Sequence, residues 1–310
     1  MIKTIVRRIS HFFTQPRTCI LNFVTLTKAF WPDKLYLSIL FWGHFGKKMN
    51  WKNPLTFNEK LQWLKLYNRR PEYSMMVDKV KVKDYVASVL GEEYVIPTIG
   101  VWDDPSKIDF DALPKRFVMK CNHNSGLGMY ICKDKSKMDV EAVKAGLRYG
   151  LNEDYFKKNR EWPYKNVPRR IFAEQYLEPD GETNDLRDYK FFCFNGKVKC
   201  FKIDYNRQVD HHANYYSREG VLLPFGEKDF PPQPDKEISI PHSIKKMIEL
   251  AEIIADGHYF MRVDFYDHNG RIYFGEITFF PASGFGEFTS NDWDEKLGTW
   301  LLLPLVQSFN

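Results

Sequence analysis

The chain has 310 residues, of which 44% are hydrophobic and 16% aromatic, and a net charge of +5. That is enough apolar material for a sizeable core in one large or two to three small cooperating domains. The modest charge demands no nucleic-acid partner, although it would favour anionic small molecules or an anionic membrane surface.

In chain order, Ile2, Ile5, Val6, Ile9, Phe12 and Phe13 recur at helical spacing, with Lys3, Arg7, Arg8 and His11 on the other side. The pattern predicts a basic amphipathic helix over residues 1–15, packed on its own domain or, alternatively, attached to a membrane surface. No signal-peptide core follows it. The apolar run from Leu35 to Trp42 is too short to span a bilayer. Residues 1–70 read as a largely helical region that ends before Pro71, whose ring disfavours helix in its predecessor.

"DKVKVKDYVASVLG", residues 78–91, predicts a short amphipathic helix with an Asp78 start and a Gly91 stop. Val95, Ile96 and Pro97 open an extended stretch. "FVMKCNHNSGLGMYIC", residues 117–132, predicts strand, turn, strand, with glycine and asparagine supplying positive φ. A helix is expected over 139–150, a strand over 169–177, and a helix over about 242–256. Two hairpins turn at Asn-Gly pairs, Asn195-Gly196 within 189–204 and Asn269-Gly270 within 259–281. The five cysteines, Cys19, Cys121, Cys132, Cys193 and Cys200, lack CxxC spacing and are too sparse for a disulfide scaffold, so reduced thiols of a cytoplasmic protein are expected.

The second hairpin carries the sharpest chemistry. Asp264 lies on its first strand and Glu276 on its second, and an antiparallel pair can set such residues side by side on one face. Two adjacent carboxylates repel unless a cation lies between them, and Mg²⁺ prefers hard oxygen ligands. The alternative is a solvated acidic sheet face. Val263, Phe265, Phe274 and Ile277 mark buried strands, where a carboxylate needs a partner or a metal.

The stretches "DKVKVKDYV", "FVMKCNHNSGLG", "EQYL", "DLRDYKFFCFNGKVKCF", "MRVDFY" and "YFGEITFFPASGFGEF", in this order, resemble the ATP-grasp superfamily. Within it they resemble the TupA-like ATP-grasp proteins of bacterial surface-polysaccharide gene clusters. The likeness runs from residue 56 to about 303. It implies an α+β fold in which two α+β subdomains clasp ATP, behind a helical N-terminal extension. Residues 1–70 would form the extension, 71–175 the subdomain with a Gly-rich lid, and 176–310 the subdomain with the Mg²⁺-binding hairpin.

Residue by residue, the resemblance implies that Lys79 and Lys120 contact the nucleotide phosphates and that Asn124, Ser125, Gly126 and Gly128 form the lid. Glu174, Gln175, Tyr176 and Leu177 match the hinge that reads adenine, and Asp188 a ribose or phosphate contact. Lys190 falls beside Asp188 at that ribose or phosphate contact, Arg207 is a candidate for the γ-phosphate or an acyl-phosphate intermediate, and the two are the expected catalytic cations. Asp264, Glu276 and Thr278 match the metal ligands, with Thr278 standing where many relatives carry asparagine. Ser283 and Gly284 match the turn that faces the acceptor. Phe279, Phe280, Phe285 and Phe288 suit either stacking on a sugar or a hydrophobic core, and His211 and His212 either loop positions or substrate contacts.

The implied function is an ATP- and Mg²⁺-dependent carboxylate–amine ligase acting through an acyl phosphate. It would join an amino acid or amino sugar to a uronic acid of a capsule or O-antigen precursor. A sugar kinase, a glycosyltransferase and a non-catalytic assembly module are the alternatives, although "WDDP" and "NDWD" lack the apolar strand expected before a glycosyltransferase metal motif.

Overall fold

Period-two alternation of apolar and polar residues builds two separate antiparallel sheets in the computed structural model, which describes residues 16–179, 186–207, 210–236 and 238–304. The helix expected over residues 1–15 lies outside these. The first sheet contains β1 (Thr98–Trp102), β2 (Phe117–Cys121), β3 (Tyr130–Cys132) and β4 (Ile171–Gln175), in the order β1-β4-β2-β3. The second contains β5 (Asp188–Phe194), β6 (Lys197–Tyr205), β7 (His212–Ser217), β8 (Phe260–His268) and β9 (Arg271–Thr278), in the order β7-β6-β5-β8-β9. Both expected Asn-Gly turns are present. Asn195 and Gly196 have φ of 48° and 78°, and Asn269 and Gly270 have 54° and 79°, the left-handed pair that matches strand twist.

Helices α1 (Pro16–Leu26) and α2 (Asp33–Phe45) form an N-terminal layer, followed by α3 (Phe57–Tyr67), α4 (Glu72–Val77) and α5 (Lys81–Leu90). Local chemistry sets these boundaries. Thr56 and Glu59 form a reciprocal capping box at the start of α3. The Asp78 carboxylate accepts from the Val80 N–H at 3.0 Å ahead of α5, and Gly91 ends it at φ 121°. Asp139 caps α6 (Val140–Leu151). Then come α7 (Tyr155–Asn159), α8 (Ile244–Ala255) and α9 (Asn291–Trp300). Helix α4, which begins directly after Pro71 where the helical region was expected to end, was not anticipated, and neither were α7, α9 and β7.

Each sheet packs one face on helices; the other faces a cleft, although along β5 Phe192 and Phe194 on that second face are buried as well. In the second sheet Phe191, Phe201, Val263, Phe265 and Ile277 pack with Met247, Ile248, Ala251 and Ile254 of α8 and with Val82 and Val86 of α5. In the first sheet Phe117, Met119, Ile171 and Ala173 pack with Val143 and Leu147 of α6. Each Val, Leu, Ile, Phe or Met among them contributes about 1.5–3 kcal/mol when fully buried. A third cluster joins Val24, Tyr36, Leu37, Leu40 and Phe41 of α1 and α2 to Phe285. Phe279, Phe280, Phe285 and Phe288 are all core residues, so the sugar-stacking alternative is set aside for each. All five cysteines are free thiols, four of them buried. No helix among the described residues is long and apolar enough to cross a membrane.

Candidate active site

The cleft face of the second sheet is a row of charges set by register. On β8, Arg262, Asp264 and Tyr266 alternate with the core residues Val263 and Phe265. Asp264 stands directly opposite Glu276 of β9 and Lys190 of β5, and Lys190 opposite Lys202 of β6. Asp188 stands opposite both Tyr266 and Asp204. The β8–β9 register shifts just after Asp264. Gly275 occupies the crowded spot there, where a Cβ would stand 3.1 Å from the Asp264 carbonyl oxygen.

The two carboxylates share an arginine that the sequence reading did not single out. Arg262 grips Asp264 through Nε to Oδ1 at 2.8 Å and Nη2 to Oδ2 at 2.7 Å, and reaches Glu276 Oε1 at 3.3 Å. Lys190 donates to Asp264 Oδ2 at 3.0 Å and to Asp188, and lies 3.4 Å from Asp204. Lys79 lies 3.3 Å from Glu276 Oε2 and donates to the Asn124 carbonyl at 2.9 Å. Arg207 pairs with Asp188 at 3.2 Å.

Burial and neighbouring charge act in opposite directions here. Burial alone would raise the Glu276 carboxyl, but Lys79, Arg262 and Lys190 hold it down to about 2. Asp264, almost wholly inaccessible, is raised by burial in spite of Arg262 and Lys190. Lys190 is penalised by burial but ends above the usual lysine range because Asp188, Asp264 and Asp204 surround it.

The first sheet supplies the opposing wall. Lys120 of β2 donates to Glu174 Oε1 of β4 at 2.6 Å, and Lys83 of α5 donates to Oε2 at 2.8 Å. Burial would raise Glu174, but the two ammonium groups bring it below the ordinary range. Lys83 is a further residue absent from the sequence reading; it stands in the first turn of α5, and Lys79, just ahead of that helix, lines the same cavity.

Between β2 and β3 runs the glycine turn. Asn124 is buried, with Nδ2 donating to the Gly150 carbonyl at 3.1 Å. Gly126, at φ 85°, has open space where a Cβ would go. Gly128, at φ 71°, is jammed: a Cβ would stand 2.8 Å from Cys121 Sγ and 3.1 Å from Gly150 Cα of α6. Gly128→Ala is therefore expected to cost about 1–3 kcal/mol in thermal denaturation, and Gly126→Ala about 1 kcal/mol or less from its φ alone. Equal losses would contradict the packing assignment.

Two adjoining cavities, of about 260 and 180 Å³, share Lys120, Met129, Glu174, Arg207 and Tyr266. The larger is a largely apolar slot lined by Val118, Met129 and Ile131 together with Ile96, Leu177, Leu186 and Tyr266, which include one packed cluster, and by Gln175 and Tyr176. The smaller is charged, lined by Lys79, Lys83, Lys190, Asp188 and Glu276 beneath Asn124, Ser125 and Gly126.

Not every residue singled out reaches these cavities. Asp264 lies beneath the lining, Gly128 behind it, and Thr278 opposite Arg262 at the end of the hairpin. Ser283 and Gly284 lie in a turn where Ala282, Ser283 and Gly284 all have positive φ. Ser283 Oγ donates to Glu161 Oε1 at 2.5 Å, and Lys65 Nζ donates to the Ser283 carbonyl at 2.7 Å. Burial brings Lys65 down to about 7. His211 lies 3.3 Å from Asp204, and His212 bridges Asp210 and the Pro231 carbonyl. Among the described residues no three of His, Cys, Asp and Glu gather into a ready metal cage.

Comparison with solved structures finds likeness to D-alanine–D-alanine ligases. The one from Helicobacter pylori is 15% identical, with 79% of this chain and 69% of that one covered at a TM-score of 0.43. The Bacillus anthracis enzyme complexed with ATP is also 15% identical, with 66% of this chain and 53% of that one covered at 0.39, so the chain spans about half of that protein's length. The ATP-grasp ligase PsnB complexed with minimal precursor is 12% identical, with 72% and 60% covered at 0.37. No curated protein sequence matches the chain. The family model for TupA-like ATPgrasp matches residues 59–302, most of the chain and every strand described above, and the protein belongs to that family.

Proposed function

We propose that the cleft binds Mg²⁺·ATP and that the protein is a carboxylate–amine ligase. The observation that carries the reading is a lysine-lined cavity with Glu276 in its wall and Asp264 paired to it directly behind, opening into an apolar slot. The slot has the dimensions and lining for a purine ring, with the main chain of Gln175, Tyr176 and Leu177 along its edge. Lys79, Lys83 and Lys120 suit the phosphates as compact positive charges, under the 124–128 turn as lid. The proposed division of labour is 71–175 as the lid-bearing subdomain and 176–310 as the metal-bearing one.

The residues present fit a magnesium ion. Two carboxylates offer about eight acceptor directions in total. Arg262 and Lys190 take three at Asp264, and Arg262 and Lys79 take two at Glu276. Free directions remain on hard oxygens, and one or two carboxylates plus substrate phosphates are what Mg²⁺ ordinarily uses. Thr278 is the proposed third donor. Bound there, the ion supplies charge neutralisation to the phosphates. Lys79, on Glu276 in this structure, is then free to turn to a phosphate oxygen.

In the proposed reaction, an oxygen of the substrate carboxylate attacks the γ-phosphorus and ADP leaves, giving an acyl phosphate. An amine then attacks the carbonyl, the C–N bond forms, and phosphate leaves with its C–O bond while the nitrogen loses a proton. The chain's own task is positioning and charge. Arg207, which lines both cavities, is proposed to hold oxygens of the transferred group with its planar guanidinium, while Arg262 holds Asp264 and Glu276 behind the lining. Lys190 neutralises the carboxylates below. Ser283 and Gly284 are proposed to border the acceptor. The finer assignment, a uronic acid of a surface polysaccharide as the carboxylate and cytoplasmic action where ATP is available, rests on the sequence resemblance.

Calorimetric titration is expected to show ATP binding at least about tenfold tighter with Mg²⁺ than with EDTA. ADP release is expected only when a carboxylate and an amine are both supplied, with a product mass equal to their sum less water. Release with a sugar alone and a phosphorylated product would replace the ligase by a kinase.

A further inference from the structure

Positive charge is distributed very unevenly along this chain. Residues 1–58 contain nine lysines and arginines and one acidic residue, Asp33, a net of +8, so the rest of the chain carries −3 against the total of +5. Asp33 itself is already paired with Arg69 at 2.7 Å and Arg160 at 2.8 Å. This basic block lies ahead of the family-matched residues, and none of its described residues lines the two cavities of the cleft.

The same block carries apolar side chains in water. Ile20, Leu21 and Val24 turn inward to the α1–α2 cluster, whereas Phe23 is 60% exposed and Leu26 and Phe30 are each 86% exposed. Leu35, at the start of α2, is 48% exposed. Single exposed hydrophobics elsewhere need no explanation, but four large ones between residues 23 and 35 form a local excess. Lys28 and Lys34 stand among them. Exposed aromatic and leucine side chains with two lysines among them match the boundary of an anionic bilayer. There the apolar tips enter the acyl region and the ammonium groups meet lipid phosphates and carboxylates.

We infer that the α1–α2 surface formed by Phe23, Leu26, Phe30 and Leu35, with Lys28 and Lys34, docks the protein onto an anionic lipid surface. The docking is peripheral and reversible, and it does not depend on the ligase reading.

The test is sedimentation of the full chain with vesicles. Binding is expected to vesicles of phosphatidylcholine with about 30% phosphatidylserine, to weaken steeply between about 0.1 and 0.5 M NaCl, and to be absent from pure phosphatidylcholine. The triple variant Phe23→Ser, Leu26→Ser, Phe30→Ser is expected to lower the partition coefficient at least about tenfold with an unchanged melting curve, because these side chains face solvent. Lys28→Glu with Lys34→Glu is expected to do the same without altering the apolar tips. Mg²⁺·ATP titration is expected to be identical in all of them, so failure of the docking surface and failure of the nucleotide reading are separable. Wild type that ignores anionic vesicles, a triple variant that binds as wild type does, or binding lost only on deletion of residues 1–15 would each overturn the inference. So would self-association of the wild type, without vesicles, that the triple variant abolishes, since the patch would then be an interface between copies.

Discussion

Glu276→Gln is expected to reduce ADP release over paired acceptors by about 10²–10³-fold while leaving the protein folded. The glutamine keeps the shape and loses the charge. Arg262 retains its bidentate grip on Asp264, and the Glu276 side chain is 33% exposed at the cleft, so the loss of one partner is tolerated by the fold. What is lost is a hard anionic donor beside Asp264, so the Mg²⁺ concentration for half-maximal release should rise alongside the fall in rate. The pH dependence follows from sign. Glu276 is held down to about 2, below the ordinary carboxylate value of about 4.3, so it stays ionised throughout the working range. Its contribution to stability is present above about pH 4 and is lost only as the pH falls toward 2. Any acid limb between about pH 5 and 7 therefore belongs to substrate or to another group. A variant with wild-type magnesium dependence would remove Glu276 from the metal site.

Lys190→Met is expected to be the most destabilising single change in the cleft, at about 3–5 kcal/mol, because it strands three carboxylates in a buried site. For a chain of this size that is a fall of very roughly 10 °C in Tm. Lys190 contacts Asp188, Asp204 and Asp264, each at most 3% exposed. Burial raises the Asp204 carboxyl, yet Lys202 and Lys190 bring it well below the usual carboxylate range. A depressed carboxylate contributes stability above its unfolded value, near pH 3.9, and loses it as the pH falls. In the variant that depression weakens and the stranded acids take up protons instead. The gap in Tm between wild type and variant should thus be widest near neutral pH and narrow toward pH 4. A variant melting within about 2 °C of wild type at pH 7 would show that Lys202, Arg207 and Arg262 neutralise the row without it.

Much of this was legible from local pattern alone. The two hairpins and their Asn-Gly turns at 195–196 and 269–270, the Asp78 helix start and the Gly91 stop, and the helix over 139–150 all depend on residues a few positions apart. Those are the ranges over which backbone sterics and capping act. The side-by-side placement of Asp264 and Glu276 was also readable, because a tight turn constrains the register of the strands it joins.

Pairing across the fold was not readable. The guanidinium between Asp264 and Glu276 belongs to Arg262, which the sequence did not single out, and Arg207 pairs with Asp188. Lys190 stands opposite Asp264 only because β5, some 70 residues earlier, inserts between β6 and β8. Gly128 answers to α6, Ser283 to Glu161 and Lys65, and the four phenylalanines after β9 to the core. By itself the sequence determined the strands, their turns and the acidic hairpin, through short-range backbone geometry. Which cation meets which carboxylate, and which aromatic is buried, was decided only by tertiary structure, since charge pairing and desolvation depend on neighbours that chain separation does not reveal.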